Sequence, residues 1–191
     1  MISVNNSPSH AAVLLNEVID ALQPRNGGVY IDGTFGAGGY SKGILETADC
    51  LIWGIDRDPL TKKFGNSLAQ AFPGKINVLN GLYGNMIELI SGFGVTSVDG
   101  IALDLGVSSM QVDEPKRGFS FRLDGPLDMR MGSHGRSAAD VVNEFSEKRL
   151  AEIIYNYGEE KASRKVAKEI VRERSKKPII STFQLARLVR R

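Results

Sequence analysis

Three aspartates, a glycine-rich turn and one tyrosine carry the chemistry this sequence can offer. Asp32 closes the apolar run Val29-Tyr30-Ile31, and from Gly33 to Gly39 five of seven residues are Gly or Ala. A strand, a tight turn and then residues able to start a helix is the layout of a nucleotide-binding βα unit. Glycine permits positive φ and close approach of a ligand to the backbone. The helix that follows offers free N–H groups and the positive end of its dipole. Gly36-Ala37-Gly38-Gly39-Tyr40-Ser41 departs from the dinucleotide fingerprint G-x-G-x-x-G at its last position. Asp32, placed ahead of the glycines, suits a ligand with a cationic end, such as the amino group of S-adenosylmethionine. Taken alone, the loop reads equally well as a plain tight turn.

Asp56 extends the pattern. It ends the run Leu51-Ile52-Trp53-Gly54-Ile55, and an acid at the end of the second strand can accept hydrogen bonds from both ribose hydroxyls of an adenosine. Its alternative role is capping ahead of Pro59, which Asp58 could fill as well. Tyr83, after the third apolar run, is placed to flank an adenine ring or simply to pack. Asp104 closes Gly100-Ile101-Ala102-Leu103. Ligands of open α/β sheets sit beyond the carboxyl ends of the strands, so Asp104 and the following Leu105-Gly106-Val107-Ser108-Ser109 face the reacting end. An exocyclic amine of cytosine or adenine is a poor nucleophile because its lone pair is delocalised into the ring. Acceptors that bind its hydrogens favour the pyramidal geometry of in-line attack on a methyl group, and orientation supplies much of the rest. Asp104 is the candidate catalytic residue, and no covalent nucleophile is required.

The elements that must position these residues follow from periodicity. A helix is expected over His10–Leu22, strands over Val29–Asp32, Leu51–Asp56, Ile76–Leu79 and Gly100–Asp104, and helices from about Gly39 to Glu46, from Pro59 to about Phe72 and over Met86–Ile90. This alternation predicts a doubly wound parallel sheet. From Leu105 to Arg136 no period is visible. Apolar and aromatic residues in Gly118-Phe119-Ser120-Phe121-Arg122 and Pro126-Leu127-Asp128-Met129-Arg130-Met131 argue against disorder there, and a stretch of that length points to function. After Ser137 the pattern is helical. Ser137-Ala138-Ala139-Asp140 opens a helix whose apolar face continues through Phe145, Leu150, Ile153, Ile154 and Tyr157. Ala162, Val166, Ile170 and Val171 mark a second, and Ser181 or Thr182 caps a third. The expected organisation is 1–109 as a cofactor-binding domain, 110–136 as an active-site loop and 137–191 as a helical insert. Four strands leave an apolar edge, and the chain stops within an apparent helix, so further strands are expected in a longer protein.

Composition sets the outer limits. The chain has 191 residues, 42% apolar and 24% charged, with net charge +2, which fits a cytoplasmic, soluble protein and is compatible with a nucleic-acid partner. Cys50 is the single cysteine, so an internal disulfide and a thiolate metal cluster are excluded; it reads as a small buried residue. His10 and His134 are too isolated to argue for a metal site. No apolar run approaches a membrane span. From Glu147 to Arg191 thirteen basic residues face six acidic ones, which makes an RNA-facing surface plausible against the plainer reading of a solvated helix face.

The blocks Asp32–Gly39, Ile55–Pro59, Asp104–Asp113, Arg117–Phe121 and Gly125–Met131 resemble, in order, those of the small-subunit ribosomal RNA methyltransferase H family, also called MraW. The resemblance implies a class I, Rossmann-like methyltransferase fold with an inserted helical domain. It implies S-adenosylmethionine-dependent N4-methylation of a cytidine in the decoding centre of small-subunit rRNA, with that rRNA or the small ribosomal subunit as partner. The family's cofactor contacts fall on Gly38, Gly39, Tyr40, Asp56, Tyr83, Asp104 and Gln111, beside Asp32 and Gly36 of the loop. Tyr40 stands where the family commonly has histidine, and Tyr83 where it has phenylalanine. Ser108, Phe119, Phe121, Arg122, Asp128 and Arg130 are assigned to the substrate side, with Phe119, Phe121 and Arg122 shaping a base pocket by stacking or by ordering the long loop. A histidine-containing block that closes the family's sheet has no counterpart here. Two other readings stand beside this one. A nucleotide-dependent oxidoreductase lacks its third glycine and a Tyr-x-x-x-Lys relay; a non-catalytic RNA-binding or assembly module needs neither. The oligomeric state, monomer or homodimer, is not encoded in any motif.

Overall fold

Short β-branched and aromatic runs between glycine or proline breaks form strands here, and the two central ones, Val29–Asp32 and Leu51–Asp56, are buried on both faces. The structure, a computed structural model, describes residues 12–190. His10 lies outside the described residues. In chain order the elements of the first part are α1 (Leu15–Leu22), β1 (Val29–Asp32), α2 (Gly39–Thr47), β2 (Leu51–Asp56), α3 (Lys62–Ala71), β3 (Ile76–Asn80), α4 (Met86–Ser91) and β4 (Gly100–Ala102). The second part carries α5 (Ser109–Asp113), α6 (Ala138–Glu144), α7 (Glu147–Gly158), α8 (Ser163–Arg174) and α9 (Thr182–Val189). The chain divides after Gly106 into two compact units.

The first unit is a four-stranded parallel sheet in the order β3-β2-β1-β4. Asp32 lies opposite Gly54 on one side and Ala102 on the other. Chain order runs outward through β1, β2 and β3, then returns to the far side of β1. That reversal opens a crevice at the carboxyl ends of β1 and β4, the position at which such sheets take ligands. Alternate residues of each strand feed opposite faces. Tyr30, Ile52 and Ile76 pack with Phe35, Ile44, Leu45 and Cys50, joined by Ile19 and Leu22 of α1 and by Phe64 and Leu68 of α3. Ile31, Trp53 and Ile55 pack on the other face with Ile90, Met86 and Leu89 of α4. Phe35 is the hinge of this packing: its ring fills the space that a Cβ would need at Gly38 and at Gly54, 2.8 and 2.6 Å away.

Two boundaries around the site differ from the sequence expectation. The first helix begins at Leu15, because Leu14 adopts left-handed backbone at φ 51°. The fourth strand ends at Ala102, because the Asp104 N–H is taken by the Thr34 side chain instead of a strand neighbour. Gly100–Ala102 is a sheet edge, with Ile101 and Leu103 each about 45% exposed.

The second unit has its own core of Leu127, Val142, Leu150, Val166, Ala167, Ile170, Ile179 and Leu188. The expected single helix from Ser137 through Tyr157 is two. Ser146 is extended and its hydroxyl accepts the Arg149 N–H, so it ends the first and caps α7. Tyr157 lies outside the apolar face assigned to it and is 84% exposed. Ser181 caps α9 in a reciprocal box with Gln184. The aperiodic stretch holds α5 and a 3-10 turn over Pro115–Arg117, and its far end is tied to α9. Asp124 accepts from the Phe183 N–H and from both the Ser181 and Thr182 hydroxyls, and Leu127 N–H donates to the Ile180 carbonyl. No helix among the described residues is long and apolar enough to cross a membrane.

Candidate cofactor-binding site

The turn after β1 is shaped by the protein's own packing before any ligand is considered. Gly38 has φ 81° and caps α2, and a side chain there would meet Phe35. A Cβ on Gly39 would meet that of Ala12 at 2.9 Å, and one on Gly33 would meet Leu103 at 2.6 Å and Tyr83 at 3.2 Å. Gly36 differs. Its φ is 54°, and a Cβ there would find only the Thr34 carbonyl, at 3.7 Å. Close packing explains Gly33, Gly38 and Gly39; Gly36 alone in this turn presents open backbone.

Asp32 is the most constrained of the acids. It is fully buried. One carboxylate oxygen, Oδ2, accepts from the Ser41 hydroxyl at 2.8 Å and from the Ser41 N–H at 3.2 Å. Its other oxygen, Oδ1, has no partner at hydrogen-bond geometry, although the nearby Thr34 amide also favours the charged carboxyl. Burial pushes the Asp32 carboxyl from its ordinary value of 3.8 up to about 6, against the pull of Ser41 and Thr34 and with a small addition from the Asp56 charge. An unpaired buried carboxylate oxygen is costly, and a cationic donor placed against it would remove that cost.

Asp56 receives the loop. Its Oδ2 accepts the Gly36 N–H and its Oδ1 accepts the Asp58 N–H, both at 2.8 Å. The capping role ahead of Pro59 falls to Asp58, which accepts from Leu60 N–H, so Asp56 is released from it. Burial raises the Asp56 carboxyl above the usual range while the Asp58 and Gly36 amides draw it back. Asp104 is exposed at the end of β4, its backbone fixed by the 2.7 Å bond to Thr34 Oγ1. The Tyr40 hydroxyl donates to the Val13 carbonyl at 2.6 Å and stands 3.5 Å from Asp104 Oδ2. Burial and the Asp104 carboxylate together raise the Tyr40 pKa. Tyr83 is 43% exposed beside Gly33.

The first unit thus gathers Asp32, Gly36, Gly38, Gly39, Tyr40, Asp56, Tyr83 and Asp104 at one end of its sheet. Thr34 and Ser41, which hold Asp104 and Asp32, escaped sequence reasoning; a hydroxyl within hydrogen-bond reach of an acid across a turn was the available signal. The remaining assigned residues belong to the second unit. Ser108 and Gln111 cap α5 in a reciprocal box, Ser108 N–H to Gln111 Oε1 at 3.0 Å and Gln111 N–H to Ser108 Oγ at 3.3 Å. Asp128 and Arg130 are paired to each other through Arg130 Nε at 3.0 Å and Nη2 at 2.6 Å. Phe119 and Phe121 line an apolar groove of about 770 Å³ with Met129, Phe183 and Val189, and Arg122 lies over the Phe121 ring at 5.6 Å. Cys50 is buried, and its thiol is pushed up by that burial. No group of acidic, histidine or cysteine side chains suited to a metal ion occurs among the described residues.

A parallel sheet with acids beyond its carboxyl ends, a strand-order reversal and a glycine turn open at one position is the architecture of the Rossmann-like methyltransferase class, with the sheet incomplete in this chain. Comparison with known proteins narrows the class. The chain belongs to the MraW methylase family, whose model matches residues 7–191. It is 56% identical over 186 residues to the ribosomal RNA small subunit methyltransferase H of Rhodospirillum centenum, covering 97% of this chain and 56% of that protein. The protein of the same name from Rhodospirillum rubrum is 52% identical over 187 residues, 98% of this chain and 57% of that one. The one from Paramagnetospirillum magneticum is 56% identical over 182 residues, 95% and 57%. The chain therefore spans little more than half the length of these relatives.

Proposed function

We propose that this chain carries the cofactor site and part of the substrate-recognition unit of an S-adenosylmethionine-dependent methyltransferase that acts on N4 of a cytidine in the decoding centre of small-subunit rRNA. The observation that carries the reading is the fully buried Asp32 with its unpartnered Oδ1, in a chain of the MraW methylase family. When bound, S-adenosylmethionine supplies a methyl group on an electron-poor sulfonium. Asp32 Oδ1 holds the cationic amino end. Asp56 accepts from the ribose hydroxyls, and its bond to Gly36 sets that carboxylate and the open flank of the loop as one surface. Tyr83 flanks the adenine. Tyr40 contributes its ring, because its hydroxyl is already bonded to Val13. Gln111 is a further cofactor residue that the family resemblance assigns.

Asp104 accepts a hydrogen of the cytidine amine, which favours a pyramidal nitrogen with its lone pair aimed along the transfer axis. Thr34 holds the Asp104 backbone while this occurs. Ser108, Phe119, Phe121 and Arg122 serve the base. Asp128 and Arg130 act indirectly, by fixing the loop that carries these aromatics. The rRNA or the assembled subunit is the partner and the cytoplasm the place of action.

Calorimetry with S-adenosylmethionine and with NAD tests the cofactor. Binding of the first and not the second is expected; NAD binding alone rejects the reading. Methyl transfer to small subunits or naked rRNA from labelled cofactor tests the chemistry. An Asp104→Ala variant is expected to lose on the order of a hundredfold in rate, and equal incorporation by variant and parent removes Asp104 from the mechanism.

A further inference from the structure

We propose that the cleft between α7 and α8 is a docking surface for the phosphate backbone of single-stranded RNA. The proposal rests on the reading that the substrate is RNA, and adds where a strand is gripped away from its reacting base. The cleft, about 950 Å³, is lined by Lys148, Glu152, Tyr155 and Asn156 of α7, by Lys161 in the turn ahead of α8 and by Arg164 in its first turn, with Glu147, Ala151 and Ser163 completing it.

Its charges are distributed unevenly. Some cations of the second unit are bound to acids: Arg172 to Glu169 and Glu173, Lys176 to Glu173, Arg130 to Asp128. Lys148, Lys161 and Arg164 are exposed and make no ion pair among the described residues. Of the two acids in the lining, Glu152 is neutralised by Arg149 at 3.2 Å. That leaves three cations against Glu147. Solvated cations at this spacing release counterions when they meet phosphates, which drives binding.

The rest of the lining separates RNA from an acidic protein. Lys148, Glu152 and Tyr155 occupy one face of α7 at i, i+4 and i+7, opposite the buried Leu150. The cleft contains no large aliphatic side chain, so an amphipathic helix would find nothing to bury against. It does contain Tyr155, 58% exposed. An exposed aromatic ring among unpaired cations suits a stacked base flanked by phosphates.

The test uses the full 191-residue chain and a fluorescein-labelled, mixed-sequence single-stranded RNA of about 20 nucleotides, followed by anisotropy across a salt series. The triple variant Lys148→Gln, Lys161→Gln, Arg164→Gln is expected to bind about tenfold or more weakly at roughly 0.1 M salt, with the log–log salt slope shallower by about 2. The charge-keeping variant Lys148→Arg, Lys161→Arg, Arg164→Lys is expected to bind as the parent does. Matching circular dichroism of all three excludes unfolding. Equal affinity and slope in parent and triple-glutamine variant overturn the proposal. So does loss of binding in the charge-keeping variant, which would make shape and not charge the determinant. Cofactor affinity on the same preparations separates the two readings. RNA binding through the cleft without S-adenosylmethionine binding removes the methyltransferase reading and leaves the cleft. Cofactor binding with no role for the three cations does the reverse.

Discussion

Asp32 and Asp128 are both acids in glycine-containing stretches that resemble family blocks, yet the two units use them in opposite ways. Asp32 is sealed inside the first unit with one oxygen unpaired. Asp128 is partly exposed and bonded to the Arg130 side chain and to the Arg130 N–H at 2.9 Å. Arg130 holds the carboxyl of Asp128 below the usual range, whereas burial lifts that of Asp32. The first acid has binding capacity left over; the second is consumed in making a turn. Density of polar residues in a motif therefore does not locate a site. What marks it here is a buried, incompletely paired acid beyond the carboxyl end of a strand; Trp53 Nε1, in the middle of β2, is buried and unpaired too.

The sharpest way to break this contrast is Asp32→Asn. It is expected to weaken S-adenosylmethionine binding by about 3 kcal/mol, the upper range for a hydrogen bond to a charged group. At neutral pH it is also expected to stabilise the free protein by about 2 kcal/mol, because a buried charge is gone. Calorimetry and denaturant unfolding read the two effects; a loss of stability equal to the loss of binding would make Asp32 structural. Asp56→Ala comes next, at about 1.5–3 kcal/mol of cofactor affinity, and an unchanged dissociation constant would contradict its ribose role.

Asp32 also sets a pH dependence. Its carboxyl takes a proton more readily folded, at about 6, than at its ordinary 3.8, so the folded chain carries more protons between those values. The stability from this group is complete below about pH 4 and is lost as pH rises through about 6. Cofactor affinity should move the other way, rising over the same interval as the carboxylate forms, and Asp32→Asn should flatten both profiles. Ser41→Ala, which removes a donor to Oδ2, is expected to shift the affinity profile to higher pH and to cost about 1 kcal/mol; an unshifted profile would take Ser41 out of the account. The smallest effect belongs to Asp128→Asn. Thermal unfolding should show a loss of about 1 kcal/mol or less for this partly exposed pair, and cofactor affinity should not change.

The same contrast explains what was legible in the sequence. Strands β1 and β2 could be read to the residue because apolar runs bounded by Gly, Asp and Pro admit few alternatives, and Asp32 and Asp56 followed from where those strands stop; the strand ahead of Asp104 was read two residues too long, since β4 ends at Ala102. The order within 105–136 could not be read. It rests on bonds such as Asp124 to the backbone of Phe183, 59 residues away, and such bonds leave no period. The break at Phe145–Ser146 was readable in principle, since Ser146-Glu147 is a cap followed by an acid, but the continuing apolar spacing masked it. Thr34 and Ser41 were hidden for a different reason. Ser41 matters for the Asp32 oxygen it donates to and Thr34 for the Asp104 N–H it accepts, and both are facts of geometry.

Phe35 has a consequence for inheritance. Its ring occupies the space that a methyl group would need at Gly54, a position on a different strand, and Gly54 has no need of an unusual backbone angle. Drift at the two positions is therefore not independent. Among descendants of this sequence, alanine at 54 is expected only where 35 has become smaller, and a line carrying alanine at 54 beside an unchanged phenylalanine would show that the barrel of the ring can swing aside.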